Sequence, residues 1–173
     1  MFGSFKTIIS DLVGIARPRI QVRDGNSCLA TAVLLTRVAT VDSEMSEVRR
    51  EKLRTLLKSD FGTDDQTATQ LIELAAKVDR NAVDLYRFTR QLNEVLDEEG
   101  RLQTVRMMWE IAYAEGNANE FETNVIWRAA DLLGVSSRQR IELRQRVSAD
   151  NAASPSKRLA RNQSPALTMP LGN

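Results

Sequence analysis

Residues 107–122 read MMWEIAYAEGNANEFE, and residues 34–49 read LLTRVATVDSEMSEVR. Each stretch opens with apolar residues at helical spacing, breaks at an elbow around an acid (Glu115, Asp42), and restarts on a residue able to cap a helix (Asn119, Ser46). Aligned on the elbow, Asp42 matches Glu115, Met45 matches Ala118, Ser46 matches Asn119 and Arg49 matches Glu122, an offset of 73 residues. The pattern reads as one helical hairpin present twice rather than as a repeat array. Two such hairpins can pack about a pseudo-two-fold axis, with two further helices between them.

Working outward, the rest of the chain carries the same helical period. Pro18 and Asp24-Gly25 break the chain before a helix that Ser27 can cap, with the stripe Leu29, Ala32, Val33, Thr36 and Ala39. After the first elbow comes a stripe of Val48, Leu53, Leu56 and Leu57, stopping near Gly62. Thr63 and Asp64 start a helix with Ala68, Leu71, Ile72, Ala75 and Val78; the next carries Val83, Leu85, Phe88, Leu92, Val95 and Leu96 and is expected to end near Glu99-Gly100. Beyond the second elbow lie Val125, Ile126, Ala129, Ala130, Leu132 and Leu133, with Gly134 as the C′ residue. Ser136 and Gln139 make a capping box for a last helix bearing Ile141, Leu143 and Val147. No stretch alternates as a strand does. The expected fold is all-α: a compact bundle of about seven helices built on the duplicated helix-elbow-helix unit, followed by a disordered C-terminal tail. The expected boundaries are 1–26 for an N-terminal amphipathic helix and linker, 27–148 for the helical domain, and 149–173 for the tail, which holds Pro155, Pro165 and Pro170.

The composition narrows the function. The chain has 173 residues, no His and one Cys, so a Ser-His-Asp triad, a Cys-His pair and a His-based zinc site are excluded. Cys28 alone makes no disulfide framework, and with no His to serve as its base it reads as a buried, inert thiol rather than a nucleophile. Net charge is +1, so no global field recruits nucleic acid or anionic membrane. No P-loop and no dinucleotide glycine fingerprint occurs. No export signal is read at the N-terminus, and a cytoplasmic setting is expected. The N-terminal stripe of Phe2, Phe5, Ile9, Leu12 and Val13 suits core packing better than lipid, although membrane contact through residues 2–16 stands as a third functional reading. Trp109, Trp127, Phe61 and Phe88 read as core residues, and Arg138, Arg140, Arg144 and Arg146 as a solvated face.

The two elbows, with Trp127 to Val135 (WRAADLLGV), resemble the TerB-like family, which includes the tellurite-resistance protein TerB and the N-terminal domain of the DjlA co-chaperone. The resemblance covers most of residues 27–147 and implies a helical bundle with no enzymatic activity. It further implies divalent-metal ligands at the elbow acids, which here are Asp42, Glu115 and Glu122. The chain departs from that pattern. Arg49 stands where the first elbow should carry Glu and can pair with Asp42; Glu115 stands for Asp, and Ser43 for Gly. The first metal site is therefore read as lost and the second, at Glu115 and Glu122, as retained or as purely structural, since Asn119-x-x-Glu122 is also a capping box. Convergence of Glu115 and Glu122 toward solvent would favour a metal; Glu122 folding back on Asn119 would favour the cap. The expected function is a non-catalytic cytoplasmic stress-response or tellurite-resistance-associated module that binds a protein partner and no nucleic acid; the alternative is a divalent-metal sensor or buffer. Cofactors are none, or one divalent metal.

Overall fold

The computed structural model describes residues 25–81 and 84–154. Among them are seven α-helices: α1 (Gly25–Thr40), α2 (Glu47–Phe61), α3 (Asp65–Asn81), α4 (Leu85–Val95), α5 (Glu98–Ala112), α6 (Glu120–Leu132) and α7 (Ser137–Ala153), with a short 3₁₀ turn, Tyr113–Glu115, after α5. No strand occurs among the described residues. The expected N-terminal helix and most of the expected tail lie outside them.

The apolar residues of α1 explain its position. A helix with an apolar stripe lies on a surface, whereas one that is apolar nearly all round must be surrounded. In α1, Ala32, Val33, Leu34, Leu35, Val38 and Ala39 are all buried, as are Thr31 and Thr36. The helix accordingly packs against α2, α3, α4, α5 and α6. The stripe expected from sequence was thus too narrow. Ser27, expected as a cap, is buried within the helix, which already begins at Gly25. Arg37 ties α1 to Asp79 of α3 through a 3.6 Å ion pair at the rim.

The second core element is α5, where Thr104, Val105, Met107, Met108, Trp109, Ile111 and Ala112 are buried. It contacts α1, α2, α6 and α7. The expected break at Glu99-Gly100 is displaced. Asp97 caps α5, accepting from the Gly100 amide at 2.9 Å, so Gly100 lies in the first turn and not between helices. A Cβ there would sit 3.1 Å from Leu96 Cδ2, which makes the glycine a packing device.

Other punctuation follows the sequence reading. Ser46 accepts from the Arg49 amide at 3.2 Å, Gly62 ends α2 at φ 66°, and both bonds of the Ser136–Gln139 capping box are present. Two stripe residues face outward: Val48 and Ile141 are each about half exposed. The last helix continues to Ala153, beyond the expected boundary at 148. Asn151 accounts for the extension, its Nδ2 donating to the carbonyls of Tyr113 (3.0 Å) and Gly116 (3.3 Å) and so fastening the last turn to the second elbow.

Cys28 is 4% exposed, and burial pushes its thiol up to about 12. The thiolate that reacts with disulfide reagents is then scarce at neutral pH. Native protein is expected to resist a chromogenic disulfide reagent, with full reaction in denaturant; fast labelling of the native form would contradict this placement.

Candidate functional site

The two elbows meet. Asp42 lies after α1, Glu115 in the 3₁₀ turn after α5, and Arg49 and Glu122 in the first turns of α2 and α6. The Arg49 guanidinium reaches all three sequence-picked carboxylates. Its Nη1 lies 3.5 Å from Asp42 Oδ1, its Nε lies 3.0 Å from Glu115 Oε2, and its Nη2 pairs with Glu122 Oε1. The Nη1 group also donates to the Ala39 carbonyl at 3.2 Å, anchoring the cation to the end of α1. The Glu115 contact is an ion pair without hydrogen-bond geometry.

Burial grades the cluster from inside to outside. The Glu122 side chain is fully buried and that of Arg49 nearly so, while Asp42 is 27% and Glu115 40% exposed. Glu122 has a second role, because its Oε2 accepts from the Asn119 amide at 2.9 Å while Asn119 Oδ1 accepts from the Glu122 amide at 2.9 Å. This is a complete capping box, so Glu122 does fold back on Asn119, yet it also turns its other oxygen to Arg49. Asn119 Nδ2 then donates to Asp42 Oδ2 at 2.5 Å, joining the second elbow directly to the first.

Burial pushes the Glu122 carboxyl above its ordinary 4.5, against the pull of the Asn119 amide and of Arg49. The folded state therefore binds this proton more readily than the unfolded chain. That contribution to stability is present below the unfolded value and is lost as pH rises through the folded one. Glu122→Gln keeps an acceptor for Asn119 but removes the titration. Wild type minus variant stability, from urea unfolding, is expected to grow as pH falls from neutral toward 4.5; a flat difference would contradict the buried placement.

The resemblance to a metal-binding pattern can be tested on these contacts. A hard cation such as Ca²⁺ or Mg²⁺ needs about six oxygens facing one point. Here both oxygens of Asp42 and both of Glu122 already accept hydrogen bonds or hold Arg49, and the Asn119 amide oxygen caps α6. Among the described residues, no three His, Cys, Asp or Glu side chains are grouped so as to hold an ion. The residues do not fit a divalent metal while Arg49 is among them. One guanidinium contacts carboxylates of both elbows, so the two form one charge cluster.

The chain matches the family described as Tellurite resistance protein TerB over residues 28–145. It belongs to the TerB family. The matched span contains both elbows, Arg49 and, from Cys28 onward, the central α1 of this TerB domain. No curated protein and no solved structure matches the chain. No helix among the described residues is long and apolar enough to cross a membrane.

Several other charged groups have structural partners. Lys52 of α2 and Arg106 of α5 both hold Glu110, each at 2.7 Å. The last helix is less solvated than expected. Arg140 pairs with Asp131 at 2.8 Å and lies over the Trp127 ring, and Arg144 lies over the Trp109 ring at 5.2 Å. An Arg-on-Trp contact gives no periodicity signal, so the sequence could not separate it from a charged face.

Proposed function

We propose that this TerB domain is a non-catalytic interaction module of a cytoplasmic stress response, with tellurite resistance as the stress the family points to. The observation that carries the reading is an open groove of about 710 Å³ between α2, α5 and α7, beside the joined elbows. Its lining includes Val48, Tyr113, Ala114 and Val147, with Glu47 and Asp150 also in it. A groove that combines these apolar residues with charged ones, Glu51, Lys52, Arg106 and Glu110 among them, suits a protein partner. The elbow carboxylates, by contrast, are engaged with Arg49 and Asn119. The metal-sensor alternative is less well supported because its three carboxylates hold Arg49. The membrane alternative rests on residues 2–16, which lie outside the described residues.

Val48 is 54% exposed, so Val48→Asp tests the groove without opening the core. Cells lacking the protein are expected to lose tellurite tolerance. The wild-type gene should restore it, and Val48→Asp should not, although the variant melts as wild type does. Unchanged tolerance on loss of the protein, or a pull-down with no reproducible partner across stress conditions, would overturn the reading.

A further inference from the structure

The Arg49–Glu122 pair joins residues 73 positions apart, the offset that relates the two elbows in sequence. A two-fold relation brings equivalent positions face to face at its axis. If both positions were glutamate, as in the duplicated acidic pattern, Glu122 would face a second carboxylate in a place where its own side chain is fully buried. With Asp42 and Glu115 alongside, four acids would then meet with no positive charge among them. Two buried carboxylates with two partly exposed ones beside them need a cation to remain ionised.

We propose that Arg49 is the built-in cation of this elbow pair, standing where an acidic pair would require a divalent ion, so that the domain holds its elbows together without metal. Chemistry explains why arginine suits the position. Its guanidinium carries five N–H donors in a fixed plane and stays charged at any physiological pH. Its donors bond Glu122 and the Ala39 carbonyl, and its charge lies within ion-pair distance of Asp42 and Glu115, so that one group serves two elbows and one helix end. Lysine offers a point charge with three donors and does not span such a set. An inorganic ion entering beside Arg49 would meet a like charge, and one displacing it would leave a guanidinium buried without partners.

The test is thermal unfolding of the full chain in chelator and in millimolar-order Ca²⁺, Mg²⁺ or Mn²⁺, with calorimetric titration of the same ions. Wild type is expected to melt at one temperature in all four buffers, within about 1 °C, and to show no saturable heat. Arg49→Glu is expected to melt far lower in chelator and to regain at least about 5 °C on addition of one of the ions. Arg49→Gln serves where Arg49→Glu fails to fold in every buffer, since it leaves three carboxylates and no cation; it too should rise with an ion. A wild-type midpoint that climbs with metal overturns the proposal, as does a foldable Arg49 variant no more responsive to the ions than wild type.

Discussion

Replacing Arg49 with alanine is expected to cost about 3–5 kcal/mol of folding stability, the range for breaking a buried ion pair by removing one partner. The expectation rests on what remains. Glu122 would stay fully buried with no cation in reach, and Asp42 and Glu115 would add repulsion in place of a shared attraction. For a chain of this size the unfolding midpoint should fall by about 10 °C. Arg49→Lys should recover little of this, because an ammonium reaches one elbow and not both. A midpoint within about 2 °C of wild type for Arg49→Ala would mean that the elbows are held by packing alone.

Trp109→Ala is expected to have an effect of similar size, about 3–5 kcal/mol, through a different cause. Trp109 is fully buried in α5 and is among the largest such side chains. Its ring meets Trp127 edge-on at 6.5 Å and Tyr113 at 6.0 Å, and Arg144 lies over it at 5.2 Å. Truncation leaves a cavity and releases the contacts of α5 with the 3₁₀ turn, α6 and α7. The indole Nε1 has no hydrogen-bond partner. Trp109→Phe therefore removes an unsatisfied donor along with some volume and should cost much less than the alanine variant. Urea unfolding reads both; equal losses for alanine and phenylalanine would show that the indole makes a bond absent from this picture.

These two residues mark what the sequence disclosed and what it withheld. Trp109 sits on an apolar helical stripe, and the periodicity that placed α5 also placed Trp109 in the core. The elbows, caps and glycine stops were legible for the same reason: Ser46, Gly62, Asn119, Gly134 and Ser136 act locally, and local chemistry can be read from neighbours in sequence. Arg49 is different. Its mismatch with Glu122 was visible in the alignment of the two elbows, and its pairing with Asp42 was anticipated. Its simultaneous reach to Glu115 and Glu122 was not, because the contact depends on how two hairpins cross rather than on either one. The signal was the 73-residue offset of the two elbows, which aligns Arg49 with the residue it pairs with. Val48 and Ile141 failed as core residues on similar grounds. Helical spacing identifies a face but does not say where a neighbouring helix stops covering it. Gly100 misled because glycine marks a break more often than a close approach.

The joined elbows also connect structure to the proposed role. The pair fixes α2 against the second elbow, and Asn151 fastens the end of α7 to the same place. The walls of the groove between α2, α5 and α7 are thus held by the contacts that Arg49 and Asn151 make, although the groove itself is open. A surface for a partner gains from such preorganisation, since less ordering remains to be done on binding.

The most direct measurement is a double-mutant cycle on Arg49 and Glu122, with urea unfolding of wild type, Arg49→Ala, Glu122→Ala and the double variant. The account predicts a coupling of at least about 2 kcal/mol, with the double variant no worse than Arg49→Ala alone. Losses that add within about 0.5 kcal/mol would contradict the claim that this pair locks the two elbows together.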